Sequence, residues 1–215
     1  MAIITSLKQQ KSKNRVNVYL DGKFGFGLDI DNLVIFNLKV GQEVSEKKIE
    51  EIVGRAEFQE VLNKLLRFAM VRPRSEKEYK DYFFRKKVPE VMRDELLAKL
   101  GEFGLMDDEK FSRWWIESRQ NFAPKSRRVV EYELKAKGIK KEIIDKTLEE
   151  NKIDEEKVAG FLLEQRENHW KNMDEKTRGV KMVAYLIGKG FGFEIAKKAG
   201  RRYNQGGDDK VKQEF

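Results

Sequence analysis

The feature that most constrains the fold is a threefold internal repeat. An arginine closes a similar apolar-basic segment three times: LRFAMVR at 66–72, RWWIESR at 113–119 and FLLEQR at 161–166. Arg72, Arg119 and Arg166 therefore stand 47 residues apart each time. A second marker follows each one, RKKV at 85–88, AKGI at 136–139 and GKGF at 188–191. A period of this length belongs to small helical units that each bury an apolar face on a neighbour. Such arrays present long surfaces rather than deep pockets, which favours a binding protein over an enzyme.

The period of the apolar residues supports a mainly helical chain. From Ser45, residues Ile49, Ile52, Val53, Ala56, Val61, Leu62, Leu65, Leu66 and Ala69 trace a helical stripe that Pro73 ends. Ser75-Glu76-Lys77-Glu78 reads as a capping box. Pro89 suits the start of a third helix carrying Val91, Leu96, Leu97 and Leu100 and ending near Gly104. The second repeat predicts helices at about 108–121, 127–137 and 140–150, with Ser126 as an N-cap and Gly138 as a stop. The third predicts helices at about 155–171, 175–188 and 193–201. Nine helices in three triplets then account for 45–202, with repeats at 45–106, 107–153 and 154–202 and a polar, fraying tail at 203–215.

Residues 1–44 read differently. Val16-Asn17-Val18-Tyr19-Leu20 and Phe24, Phe26, Leu28 alternate at period two around Asp21-Gly22, a strong hairpin signal. The segment predicts an antiparallel sheet of about three strands, then a short helix between Asp29 and Asn37 closed by Gly41.

Composition narrows the partners. The net charge is +8, and charge is sorted along the chain. Residues 123–141 hold seven Lys/Arg against two Glu, and residues 142–160 hold seven acids against three Lys. The chain could thus offer both a basic and an acidic surface. Lys125, Arg127 and Arg128 gather at one predicted helix start, where basic residues attract phosphate or carboxylate. Lys135, Lys137, Lys140 and Lys141 flank the end of the same helix. Lys197, Lys198, Arg201 and Arg202 repeat the theme. With Arg72, these form the candidate basic face for an anionic partner, nucleic acid or an acidic protein groove. The chain has no cysteine, no apolar run that approaches a membrane span, and no signal-peptide pattern in MAIITSLKQQ, so a cytoplasmic monomer is expected.

Chemical motifs yield to structural readings. Asp107-Asp108 suits a helix N-cap with a first-turn acid, and Asp154-Glu155-Glu156 stands at the matching place. His169 is the only histidine and has no triad or zinc constellation around it. Gly25-Phe26-Gly27 and Gly188-Lys189-Gly190-Phe191-Gly192 fit no phosphate-loop pattern and read as turns. Phe83, Phe84, Trp114, Trp115, Phe161 and Trp170 could stack on bases, but core packing is the better reading, with one of the Trp114-Trp115 pair exposed. No catalytic residue, metal or cofactor is expected.

Four segments in order resemble the RecX family of regulatory proteins. Arg72-Pro73-Arg74-Ser75-Glu76-Lys77-Glu78 resembles its R-x-R-S-x-x-E signature. Gly104-Leu105-Met106-Asp107-Asp108-Glu109-Lys110-Phe111, Glu133-Leu134-Lys135-Ala136-Lys137-Gly138-Ile139 and Tyr185-Leu186-Ile187-Gly188-Lys189-Gly190-Phe191 are similar to its later motifs. The sheet segment with Tyr19-Leu20-Asp21-Gly22 and Asp29 resembles the extension of longer members. The match covers roughly 58–202; it departs where the first repeat reads RKKV, without the glycine of the other two. The resemblance implies three tandem three-helix bundles in an elongated, curved array. It also implies a protein that binds the RecA recombinase filament on DNA and inhibits its ATP hydrolysis and strand exchange, or promotes filament loss, without itself being an enzyme. Two readings compete: a stand-alone DNA-binding helical module, and a metal-dependent nuclease using Asp107, Asp108 and Glu109.

Overall fold

A computed structural model describes residues 1–10 and 14–205. It divides into two compact units, Met1–Arg72 with Phe83–Glu102, and Pro73–Tyr82 with Phe103–Phe215.

The first unit opens with strands β1 (Ala2–Gln9), β2 (Arg15–Leu20) and β3 (Lys23–Asp29), helix α1 (Ile30–Ile35) and strand β4 (Glu43–Val44). The sheet is antiparallel in the order β3-β2-β1-β4. The predicted hairpin forms at Asp21 and Gly22, both at positive φ (50° and 79°), which is the primed turn that strand twist demands. The expected three strands become four. Two residues, pairing Val44 with Ala2, are too short to show a period. The alternation places Ile4, Val18, Phe26 and Leu28 on one face, closed by Leu38, Val44 and Ile52. Asp29 caps α1, its carboxylate accepting the Asn32 N–H at 2.7 Å. Helix α2 (Glu46–Met70) starts at the Ser45 cap as expected. Helix α4 (Glu90–Glu102) follows Pro89 and buries Leu96 and Leu100, whereas Val91, placed on the stripe by sequence, is 89% exposed.

Helix α3 (Glu76–Lys86) straddles the division. The second unit then holds α5 (Asp108–Phe122), α6 (Arg127–Ala136) and α7 (Lys141–Glu150) around Phe111, Ile116, Val130, Leu134, Ile144 and Leu148. Helices α8 (Glu155–Glu164), α9 (Glu167–Trp170), α10 (Glu175–Gly188) and α11 (Phe193–Asn204) surround Ala159, Leu163, Trp170, Met182, Leu186 and Ala196. The expected helix 155–171 breaks at Gln165-Arg166. The Leu163 carbonyl accepts there from the Arg166 N–H, a tightened last turn, and from the Trp170 indole N–H at 3.0 Å. The break swings Trp170 into the core with its polar atom satisfied. Helix α11 runs on to Asn204, whose side chain accepts from Arg178 at 2.7 Å; the expected tail beyond 205 lies outside the described residues.

Two junctions within this unit share one design. The buried Ser75, N-cap of α3, accepts the Glu78 N–H and donates its hydroxyl to the Lys137 carbonyl at 2.9 Å. The buried Ser126, N-cap of α6, accepts the Val129 N–H and donates to the Lys189 carbonyl at 3.0 Å. The next residue is held in parallel fashion. The Glu76 N–H donates to the Asp108 carboxylate at 3.2 Å, and the Arg127 N–H to the Glu155 carboxylate at 3.0 Å. Each second helix thus plants its N-terminus on the following repeat, satisfying orphan donors with that repeat's first-turn acid.

Candidate partner-binding surface

The predicted cations fall into separate clusters. Lys125, Arg127 and Arg128 surround the start of α6, and Lys140 and Lys141 form the start of α7. Helix α6 is the only described helix without an acid in its first turn. Cations at a helix N-terminus oppose the macrodipole, at roughly 0.3–1 kcal/mol each. These placements disfavour the isolated fold and favour an anion nearby.

Some of the cations are already engaged. The Arg127 guanidinium donates to the Leu148 carbonyl at 3.3 Å and lies 3.9 Å from Glu149, so it joins α6 to the end of α7. Lys135 pairs with Glu131 at 2.6 Å, one turn away. Lys137 pairs with Glu78 at 2.7 Å and lies over the Trp115 ring. Lys125, Arg128, Lys140, Lys141, Lys197 and Arg201 make no ion pair among the described residues. Arg72, just past the end of α2, is half-buried in the first unit, while the other named cations belong to the second. The ten residues of α6 span about 15 Å, so the basic run is two clusters and not one stripe.

On α11, Lys197, Lys198, Arg201 and Arg202 do come together, lining a groove of about 480 Å3 with Glu156 and Glu194. Glu156 holds Lys198 at 2.5 Å and Arg202 at 3.4 Å. The expected acidic surface at 142–160 is largely taken up in this way. Glu149 and Glu155 meet Arg127, Glu150 meets Arg113 at 3.1 Å, and Glu156 meets α11.

The acid pair resolves into two caps. Asp107 accepts the Lys110 N–H at 2.8 Å and caps its own helix, while Asp108 caps α3. Burial holds the Asp108 carboxyl above the usual range, against the opposing Glu76 N–H. Glu109 is bound by Lys146 and Arg113, both at 2.9 Å, and the Lys146 bond leads in holding its carboxyl low. No cluster that could hold a metal ion occurs among the described residues. His169 is exposed and meets the edge of Trp170.

The aromatics correct two expectations. Phe83 is buried, but Phe84 is 81% exposed, because successive residues point about 100° apart around a helix. Trp114 and Trp115 are both half-buried. They stand three and four residues after Phe111, so both rest on its ring, at 6.1 and 5.6 Å. Two of the three marker arginines are packing residues: Arg119 lies over Trp115 and pairs with Glu133 at 2.6 Å, and Arg166 lies over Tyr185. Sequence reasoning missed Lys189, the repeat counterpart of Lys137, which lies over the Tyr185 ring. The 188–191 marker already aligned it.

Residues 2–45 match the family model for the regulatory protein RecX N-terminal domain, and residues 107–148 that for the RecX second three-helix domain. The regulatory protein RecX of Listeria welshimeri is 33% identical over 201 residues, covering 91% of this chain and 74% of that protein. That of Bacillus velezensis is 31% identical over 220 residues, covering all of this chain and 82% of its own length. Among solved structures, a regulatory protein RecX superposes with a TM-score of 0.68 at 26% identity, over 94% of this chain and 100% of that one. RecX from Lactobacillus salivarius superposes with a TM-score of 0.59 at 20% identity, over 69% and 97%, a likeness of fold alone. No described helix is long and apolar enough to cross a membrane.

Proposed function

The chain belongs to the RecX family of regulatory proteins, and from that premise we propose that it binds the RecA filament on DNA and lowers its ATP hydrolysis and strand exchange. The observation that carries the reading is the set of cations at the starts of α6 and α7, Lys125, Arg128, Lys140 and Lys141, which make no ion pair among the described residues and are set against two helix dipoles. They suit a partner with acidic or phosphate groups. Helical repeats at 45–106, 107–153 and 154–202 would let one monomer touch more than one recombinase protomer. Such a bridge hinders motion between protomers and needs no catalytic side chain. The protein acts in the cytoplasm as a regulator, not as an enzyme.

The test is the single-stranded-DNA-dependent ATPase of the cognate recombinase, titrated with this protein at fixed salt. Inhibition is expected, and it should be lost when Lys125, Arg128, Lys140 and Lys141 are all changed to Glu. Arg127 is left intact there, because its contacts to Leu148, Glu149 and Glu155 hold the fold. Full inhibition by the quadruple variant removes these helix starts from the interface. No effect of the unaltered protein, together with steep salt-dependent binding to bare duplex, would return the reading to a stand-alone DNA-binding module.

A further inference from the structure

The N-terminal sheet has one face in the core and one in solvent, and the solvent face is not what such a face ordinarily carries. Open faces of antiparallel sheets are usually polar. Here register places Tyr19 of β2 opposite Ser6 of β1 and Phe24 of β3. The two rings meet edge to face with centroids 6.1 Å apart. Phe24 is 61% exposed and Tyr19 half-buried. Neither belongs to the core on the opposite face, which is built on Ile4, Val18, Phe26 and Leu28. The Lys8 ammonium of β1 stands 4.9 Å from the Tyr19 ring centre. Lys8 itself pairs with Asn17, whose side chain accepts from Gln10 at 2.6 Å.

We propose that this face is a stacking platform for single-stranded nucleic acid, with bases against Phe24 and Tyr19 and a phosphate at Lys8. Three observations select that occupant. Rings with exposed faces on neighbouring strands are the means by which sheets hold unpaired bases, and a duplex, with its bases stacked on each other, cannot use them. Lys8 stands on the face that carries the rings, and a lysine over one ring can turn its flexible stem toward a phosphate and release the ring face. The acids of the hairpin are turned to the backbone, Asp21 accepting the Ile3 N–H and Asp29 the Asn32 N–H. The exposed Glu43 of β4 pairs with Ile3 on β1, at the edge of the sheet away from β3 and Phe24. The amides of Asn17 and Gln10 add neutral polar groups at the edge of the platform. None of this depends on a recombinase partner, so the proposal stands or falls separately from the function above.

The experiment uses the full chain and no recombinase. Fluorescence anisotropy is recorded with an oligothymidylate of about 20 nucleotides, enough for several stacked bases, and with a duplex of equal length. Tyr19→Leu with Phe24→Leu keeps apolar bulk on the strands but removes the rings. Single-strand affinity should fall about tenfold or more, as expected for lost stacking, with duplex affinity and thermal unfolding unchanged. Lys8→Gln should flatten the single-strand salt slope by roughly 0.7. Photo-crosslinking to an iodouracil-substituted oligonucleotide should label Tyr19 or Phe24. Crosslinks confined to α6, α7 or α11, or unchanged affinity in the folded leucine variant, overturn the proposal. So does a leucine variant that keeps oligonucleotide binding and loses only filament binding, which would make the face a protein-docking surface.

Discussion

A Cβ at Gly190 would stand 2.8 Å from the Ser126 hydroxyl oxygen and equally close to Val129 Cγ2. Gly190 also sits at φ +88°. Two independent constraints therefore meet at one residue, a left-handed backbone and a neighbouring helix cap packed directly on it. Gly138 repeats the situation, at φ +81° and 2.9 Å from Lys77 Cβ. Gly190→Ala should cost about 2–4 kcal/mol, combining left-handed strain with overpacking. Lys87, at the matching place in the first repeat, takes φ +52° but is exposed. Lys87→Gly should be neutral or stabilise by up to about 1 kcal/mol. Urea unfolding of the two variants measures the contrast.

The serine caps serve two helices each. Ser75→Ala and Ser126→Ala remove a cap bond and leave the Lys137 or Lys189 carbonyl without its donor. Each should lower stability by about 1–3 kcal/mol. A loss much smaller than 1 kcal/mol in both would mean that water replaces the hydroxyl at the junction.

The two aspartates of the pair contribute differently to the fold. Burial raises the Asp108 pKa, so the fold disfavours its ionised form. Its contribution is least favourable at neutral pH and improves as pH falls through the raised value. Asp108→Asn keeps an acceptor for the Glu76 N–H without the charge. It should hold or raise the melting temperature at pH 7, with the advantage shrinking in acid. Asp107→Ala should instead lose about 1 kcal/mol at pH 7 as a missing N-cap. Asp174 behaves oppositely to Asp108. The Thr177 N–H holds its carboxyl low, so its contribution is present above the ordinary aspartate value and lost as pH falls through the depressed one.

Glu156 restrains Lys198 and Arg202 in the α11 groove. Glu156→Gln should release both and raise affinity for an anionic partner. An exposed pair is worth at most about 1 kcal/mol, so the gain should be roughly fivefold or less and vanish at high salt. Unchanged affinity at low salt would exclude this groove from the interface.

The repeats, the helix starts and the hairpin were legible because each rests on local chemistry. Ser45, Ser126 and Asp107 cap the helices they were assigned, and Asp21-Gly22 turns where expected. What escaped the sequence is non-local. Nothing in the order of residues says that the Trp170 indole returns to the Leu163 carbonyl and breaks a helix, or that β4 pairs with β1. The basic residues show the same limit. Their number was plain, but only the fold separates Arg127, held by Leu148 and Glu149, from Arg128, which is not.

Where the first two repeats place Ser75 and Ser126, the third places Asp174 as the cap of its second helix. A hydroxyl can accept from its own helix and donate onward in the same instant; an ionised carboxylate can only accept. Asp174 therefore serves its own helix and cannot repeat the onward bond that Ser75 and Ser126 donate. One side-chain exchange turns a two-way link into a one-way cap.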